Sequence, residues 1–168
     1  MRFPEHNLQA AIKKWCFICI TEPHEFLGFD RSKGGERTHI FEKQRGIRRG
    51  TADTLLSRKD RRPVWCELKW GDNKIEEGDD QDKFGKAMVA MGHHWFAAWT
   101  VAQYCEGLHA EGVALSRNAS LIAADYDLRL IARQMTKGGK VRRVPLNAAT
   151  GVRKFRRLVD DPLPECLR

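Results

Sequence analysis

The sequence lacks any long apolar run: no stretch approaches the roughly 18 consecutive apolar residues that a membrane-spanning helix requires. It also has no short apolar block that follows a basic start and precedes a small-residue cleavage site, as a secretion signal would. Internal repeats and low-complexity tracts are equally missing. These absences argue against a membrane partner and predict a soluble, cytoplasmic chain, whose 168 residues suit one domain with a small extension.

The sequence also lacks an even set of cysteines, which argues against a framework of disulfides. The five are Cys16, Cys19, Cys66, Cys105 and Cys166. Four of them have apolar or aromatic neighbours, as in "KWCFICI" and "VWCELKW", which is typical of reduced thiols packed in a core. The "CFIC" pair with His24 or His39 is an alternative zinc site, but structural zinc normally has four ligands and the chain has no second C-x-x-C or H-x-H pair.

Positive charge is what the sequence has in excess, with 30 Lys and Arg against 22 Asp and Glu and a formal net charge of +8. Residues 137–168 hold nine Lys or Arg against three Asp or Glu, and this surplus of six makes up most of the total. Clustered cations gain affinity for phosphates by releasing counterions, so the charge predicts a nucleic-acid partner. Charge alone fits non-specific binding equally well.

Hydrophobic periodicity predicts alternating helices and strands in the first two thirds of the chain. A helical stripe runs from Pro4 to about Ile20, and "HEFLGF" after it is a candidate strand. The clearest hairpin joins strands at 52–56 and 64–70 through the charged turn "SRKDRRP". We expect a mixed α/β core from this pattern.

A second helix, a further strand and a third helix are predicted after the hairpin. The second helix ends near Gly92, "HWFAAWT" is a continuous apolar strand, and "VAQYCEGL" is again helical. A helix between strands favours a parallel crossover, and the core is expected to end near Leu108. Beyond it, "SLIAADYDLRLIARQM" predicts an amphipathic helix whose apolar set is Leu121, Ile122, Leu128, Ile131 and Met135.

Three charged residues of the hairpin suggest chemistry. On the second strand Glu67 and Lys69 share a face with Trp65, while the opposite face is wholly apolar. A carboxylate and an ammonium on a largely covered sheet are costly unless they pair or hold a ligand. Asp53, on the neighbouring strand, is within reach of Glu67 if the hairpin register is near symmetric. Two carboxylates brought together in this way suit a hard divalent cation such as Mg²⁺.

These residue types fit metal-dependent hydrolysis of phosphodiesters. The cation lowers the pKa of a bound water and neutralises a phosphoryl oxygen, and a lysine beside it orients the water or stabilises the transition state. The alternative is an ordinary surface pair of Glu67 and Lys69, with Asp53 capping a turn. An isolated "ExK" would favour that alternative, but its hairpin distance from "GTAD" in a basic chain favours the metal site.

The motifs "RRGTADTLL", "VWCELKW" and "QDKFGKAMVAMGHHWFAAWTVAQYCEGL" occur in this order along the chain. Together they resemble the VRR-NUC branch of the PD-(D/E)xK nuclease superfamily, over roughly residues 5–108. The resemblance implies a restriction-endonuclease-like α/β core in residues 1–108, with a mixed central sheet flanked by helices in αβββαβ order. Residues 109–168 then form a helical, basic C-terminal extension, packed on the core or trailing from it.

The resemblance also assigns roles to individual residues. It implies that Asp53 and Glu67 bind Mg²⁺ or Mn²⁺ and that Lys69 is the catalytic lysine. Gln81 matches a glutamine that supports the site from the start of a helix. Glu5 resembles the glutamate of the first helix that completes the metal-binding acidic cluster.

Basic residues near these positions are the predicted nucleic-acid contacts. A loop that precedes Asp53 is interpreted as a phosphate-gripping element, with a plain solvated loop as the alternative; its cations are Lys43, Arg45, Arg48 and Arg49. The hairpin turn and the tail add Arg61, Arg62, Lys140, Arg142 and Arg143. The tail is either an additional clamp or a basic terminus without that role. His93 and His94 are candidate phosphate or metal contacts, although structural roles are more common for histidines before a strand.

The predicted function is therefore that of a Mg²⁺- or Mn²⁺-dependent DNA endonuclease of phage or DNA-repair type, acting on junctions, flaps or nicks. A homodimer would bring two active sites to two strands, whereas a flap or single-strand nuclease needs only one, and the sequence leaves both open. The alternative from another class is a non-catalytic DNA-binding or packaging protein on a nuclease scaffold.

Overall fold

The computed structural model describes residues 4–29 and 50–136, which form a four-stranded sheet and four helices. In chain order the elements are α1 (Pro4–Cys19), β1 (His24–Gly28), β2 (Thr54–Arg58), β3 (Val64–Leu68), α2 (Asp80–Ala90), β4 (His94–Ala98), α3 (Val101–Ala110) and α4 (Ala119–Thr136). In this part of the chain no helix combines the length and apolarity needed to cross a membrane.

The sheet is mixed, and its strands follow one another in the order β1-β2-β3-β4. The first three are antiparallel neighbours, and β4 lies parallel to β3 after the α2 crossover. The predicted hairpin and the predicted parallel crossover are both confirmed. The hairpin strands differ slightly from the predicted ranges 52–56 and 64–70: β2 begins at Thr54, and β3 ends at Leu68.

One face of the sheet packs against α1 and α3 to form the main core. From β3, Val64, Cys66 and Leu68 point into this core and are buried. The apolar stripe predicted for α1 is confirmed in full, since Leu8, Ala11, Ile12, Trp15, Cys16 and Cys19 are all buried. Burying a large apolar side chain contributes roughly 1.5–3 kcal/mol, so this stripe fixes α1 against the sheet.

The opposite face is covered by α2 around two tryptophans. Trp65 of β3 and Trp95 of β4 are paired in the register, and Phe84 of α2 meets the Trp65 ring edge-on at a centroid distance of 5.3 Å. A Cβ added at Gly85 would lie 2.7 Å from the Trp95 ring. Because Gly85 has no side chain, the α2 backbone can lie directly on the indole, and this close approach brings the start of α2 to the end of β3.

The helix α4 forms as predicted, but its predicted apolar set is confirmed only in part: Ile122 packs partly buried against the core, whereas the side chain of Met135 lies outside the described residues. Leu121 and Leu128 are 55% and 53% exposed. The buried positions are instead Ala119, Ala123, Asp127 and Leu130, spaced by three or four residues. Two small alanines on this face let α4 pack closely on α1 and α3, and Trp15 of α1 donates to the carbonyl of Ala119 at 2.9 Å. The helix therefore shares the core cluster of the first 108 residues.

Asp127 is the unexpected member of that buried face, and it caps α3 from a distance. Its Oδ1 accepts from the amide of Val101 at 2.7 Å and its Oδ2 from the amide of Ala102 at 3.0 Å. These are two of the amides at a helix start that have no partner within the helix. Thr100 satisfies another by accepting from Gln103 at 3.0 Å. The carboxylate thus joins α4 to the junction between β4 and α3.

Burial of Asp127 gives a testable pH dependence. Desolvation raises the pKa of its carboxyl from 3.8 to about 6, while the bonds from Ala102 and Val101 oppose the shift. A raised pKa means that the folded state binds the proton more tightly, so this group stabilises the fold below about pH 4 and loses that contribution as the pH rises through 6. We expect wild type to gain about 2–3 kcal/mol of unfolding free energy relative to Asp127→Asn between pH 7 and pH 4.

The measurement is urea unfolding of both proteins across that pH range. The difference between them isolates Asp127, because the other carboxyl groups are common to both. A difference that does not change with pH, or that shrinks as the pH falls, would contradict the expectation.

Candidate active site

Asp53 lies one residue before β2, opposite Glu67 on the neighbouring strand. Thr54 pairs with Cys66 in the register, so one further step outward sets Asp53 across from Glu67. The Asp53 Oδ2 accepts from the amide of Leu68 at 2.8 Å, which ties the carboxylate to the end of β3. Burial raises the pKa of the Cys66 thiol well above its ordinary value, and the negative charges of Asp53 and Glu67 raise it further. The near-symmetric register expected from the sequence is the one observed.

The backbone carbonyl of Asp53 is held as firmly as its side chain. It accepts from the amide of Phe29 at 2.8 Å and from the side-chain amide of Gln9 at 3.0 Å. Three elements therefore fix this residue: α1 through Gln9, the end of β1 through Phe29, and β3 through Leu68.

Glu67 and Lys69 form a buried ion pair on the face of β3 that α2 covers. Their exposed fractions are 2% and 9%, and the Lys69 Nζ lies 3.1 Å from Glu67 Oε1. Gln81, the second residue of α2, completes a triangle: its Oε1 accepts from Lys69 at 2.5 Å, and its amide nitrogen donates to Glu67 Oε1. The structure thus brings Glu67, Lys69 and Gln81 together, as their predicted roles require.

The start of α2 is fixed in place by its own cap and by a glycine. Asp79 is the N-cap and accepts from the amide of Asp82 at 2.6 Å. This bond lowers the pKa of Asp79, and the positive charge of Lys69 contributes to the same shift. Gly50 has a φ of 80° and lies directly against the Asp80 carbonyl, where a Cβ would clash. A side chain at position 50 would therefore push Gln81 away from the ion pair.

Glu5 is exposed and lies beside the loop that follows β3. Its Oε1 accepts from the side-chain amide of Asn73 at 3.3 Å, and the carbonyl of Asn73 accepts from the indole of Trp99 at 2.9 Å. Within residues 4–29 and 50–136, no group of three or more His, Cys, Asp or Glu side chains is arranged to hold a metal ion. Of the three predicted carboxylates, Asp53 and Glu67 lie opposite each other in the hairpin register, and Glu5 lies at the adjoining loop.

The predicted nucleic-acid contacts are only partly described. Arg61 and Arg62 are exposed in the hairpin turn, at the end of β2 and β3 opposite to Asp53. Five residues separate Asp53 from Arg58 along β2, which corresponds to roughly 16 Å. The remaining predicted cations, Lys43, Arg45, Arg48, Arg49, Lys140, Arg142 and Arg143, lie outside the described residues.

The histidines and cysteines that raised other possibilities are mostly engaged in the fold. His93 Nδ1 accepts from the Trp65 indole at 3.3 Å, and His94 Nδ1 contacts a carboxylate oxygen of Glu111. Cys16 and Cys19 of the "CFIC" pair are buried in the core, and burial raises the pKa of Cys16 to about 12. Both thiols belong to the apolar core cluster that α1 forms with the sheet. His39 and Cys166 lie outside the described residues.

The sequence did not single out Gln9, Asn73 or Trp99. Gln9 was only a polar residue between core positions of α1, and Trp99 only part of an apolar run. Gln9 and Trp99 each donate to a backbone carbonyl far away in the sequence, at separations of 44 and 26 residues, and Asn73 donates to the side chain of Glu5, 68 residues away. No local pattern signals such a contact.

Comparison of the chain with protein-family models, with curated proteins and with solved structures gives no match. The interpretation of the site therefore depends on its residues and their geometry.

The buried pair predicts a stability coupling between Glu67 and Lys69. Removing the cation in Lys69→Met leaves the Glu67 carboxylate buried without it, and we expect a loss of about 3 kcal/mol in unfolding free energy. With Glu67→Gln in the same chain, the further loss from Lys69→Met should be smaller by about 1–2 kcal/mol. Urea unfolding of the four proteins measures this coupling.

The matched control is Lys86→Met, which breaks the exposed ion pair between Lys86 and Asp82 on α2. Exposed pairs contribute little, so this variant should unfold like wild type. Strictly additive losses at Glu67 and Lys69 would show that the two side chains are not energetically paired.

Proposed function

We propose that this protein is a metal-dependent DNA endonuclease built on a restriction-endonuclease-like core. The observation that carries the proposal is the meeting of Asp53, Glu67 and Lys69 at one end of the β2–β3 hairpin. A buried lysine and two facing carboxylates are costly to fold, and a catalytic site for phosphodiester hydrolysis accounts for all three.

The order of elements supports this proposal. A helix, three antiparallel strands, a crossover helix and a parallel strand follow one another in αβββαβ order. This is the arrangement that the VRR-NUC resemblance implies. The candidate residues lie at the strand ends, where α2 and the loop after β3 reach them.

The donor set fits a hard divalent cation. Asp53 and Glu67 would hold Mg²⁺ or Mn²⁺ through carboxylate oxygens, which are the ligands these ions prefer. Glu5 is the third carboxylate that the resemblance assigns, and it lies at the loop after β3. When bound, the ion would supply charge neutralisation at a phosphoryl oxygen and lower the pKa of a water.

Lys69 and Gln81 have distinct roles in this proposal. Gln81 holds the Lys69 ammonium next to Glu67 by accepting one of its protons. Glu67 Oε1 accepts a second proton, so the ammonium keeps its third proton to orient the attacking water or to stabilise the extra negative charge of the transition state. Since Lys69 is almost fully buried, the weak screening around it strengthens both interactions.

The direct test is cleavage of DNA by the purified protein with Mg²⁺, with Mn²⁺ and with EDTA. We expect cleavage with either metal and none with EDTA. Lys69→Ala and Glu67→Ala should each lower the rate by about 100-fold or more, because they remove transition-state stabilisation. A panel of duplex, flap, junction and single-stranded DNA in the same assay identifies the preferred substrate.

The control is Lys83→Ala, which removes the same charge from an exposed position on α2. It should cleave like wild type, and circular dichroism should show all variants folded. Full activity in both site variants would exclude the assignment. Salt-sensitive DNA binding with no cleavage under any metal condition would instead favour the non-catalytic DNA-binding alternative.

A second prediction concerns the hairpin turn. If Arg61 and Arg62 contact the backbone roughly 16 Å from the cleaved phosphate, they reach about five base pairs along the duplex. Arg61→Glu with Arg62→Glu should then weaken binding about tenfold for DNA that extends at least six base pairs beyond the cut. Shorter DNA should bind as it does to wild type. Affinities measured in EDTA by fluorescence anisotropy keep binding separate from cleavage.

Lys13→Glu with Lys14→Glu is the control, since it makes the same charge change at exposed positions of α1. Equal losses in both double variants would indicate a general charge effect. A loss that does not depend on DNA length would contradict a contact at the hairpin turn.

A further inference from the structure

Gln9 of α1 contacts Asp53, one of the residues proposed to bind the metal ion. Its side-chain amide donates to the Asp53 carbonyl at 3.0 Å. Asp53 lies one residue before β2. Besides Gln9, the amide of Phe29 bonds to the Asp53 carbonyl and the amide of Leu68 to its side chain.

The absence of a side chain at Gly28 leaves space for the Gln9 side chain. Gly28 is the last residue of β1 and pairs with Thr54, directly beside Asp53. A Cβ built at Gly28 would lie 2.8 Å from the Gln9 Nε2 and 3.3 Å from its Cδ. Its remaining close neighbour, Phe26, is at an ordinary 3.5 Å. Gln9 is therefore the obstacle to a larger residue at Gly28.

We propose that Gln9 is a positioning residue for Asp53 and that Gly28 is glycine to let Gln9 reach it. The side chain of Asp53 already accepts from Leu68, so a carbonyl that is also fixed leaves the carboxylate little freedom to turn. A carboxylate held in one orientation does not lose conformational entropy when it takes up a ligand. Gln9 itself touches neither substrate nor metal in this scheme. Its role rests on the proposed function of the site.

The first experiment uses Gln9→Met, which keeps the length of the side chain and removes the donor. Misplacement of a metal-binding carboxylate lowers the rate of the chemical step more than it lowers the affinity for DNA. We expect kcat to fall about tenfold, KM for DNA to stay within twofold of wild type, and the Mn²⁺ concentration for half-maximal rate to rise severalfold. Ala10→Met, at the neighbouring exposed position of α1, should match wild type in all three.

The second experiment tests the geometry without any cleavage. Gly28→Ala should lower the thermal midpoint in the wild-type chain because it displaces Gln9. In a chain that already carries Gln9→Ala, the obstacle is gone, so Gly28→Ala should lower the midpoint by less than half as much. Differential scanning calorimetry of the four proteins measures this dependence.

The outcomes separate the two proposals. An active wild type whose kcat and Mn²⁺ dependence are unchanged in Gln9→Met overturns the positioning role and leaves the nuclease intact. Equal midpoint losses from Gly28→Ala in both backgrounds overturn the role of Gly28. A wild type that never cleaves DNA overturns the proposed function, and with it the catalytic part of this inference, whatever the calorimetry shows.

Discussion

The buried pairing of Glu67 with Lys69 is the interaction on which the site depends. Burying a carboxylate that is only 2% exposed has a large desolvation cost, and its attraction to an ammonium 3.1 Å away offsets part of that cost. Such a pair does not by itself stabilise a fold more than apolar residues would. Its presence on a covered sheet face therefore requires a compensating arrangement, which Gln81 provides by bonding to both partners. The second face of the sheet is organised to bring Gln81 to that point.

That organisation is visible in how α2 is packed. Gly85 lets the helix backbone lie on the Trp95 ring. Gly50, in the turn before β2, lets that turn lie against the Asp80 carbonyl at the start of α2. Asp79 then caps the start of α2, and Gln81 lies in the first turn of this helix. Together these contacts hold the start of α2 beside the ion pair, where Gln81 bonds to both Glu67 and Lys69. The tryptophan face, which a hydrophobic pattern would describe only as core, thereby controls the polar geometry at the end of β3.

Much of this fold could be predicted from periodicity, because α1 and β3 bury the apolar residues that their spacing selects. The hairpin of the site could be predicted for the same reason. Side chains alternate between the two faces of a strand, so the sequence indicates which residues share a face with Glu67. The buried face of α4 could be predicted only in part. Leu121 and Leu128 are more apolar than Asp127, yet Asp127 is buried because the α3 amides that stabilise it lie about 26 residues away in the chain. The contacts of Gln9 and Trp99 are missed for the same reason, since their partners are backbone groups that any sequence would possess.

The arrangement of Asp53 and Glu67 has one further physical consequence. Two carboxylates facing each other across a hairpin repel, and flexible side chains would turn apart to reduce that repulsion. Asp53 is prevented from turning by the Leu68 amide and by the bonds to its own carbonyl. Glu67 is prevented by Lys69 and Gln81. Lys69 therefore acts as an internal counter-ion that lets the hairpin fold with both carboxylates in place. In the proposed function, a divalent cation held by these carboxylates would relieve the repulsion that remains, and α1, β1, β3 and α2 fix the two residues beforehand.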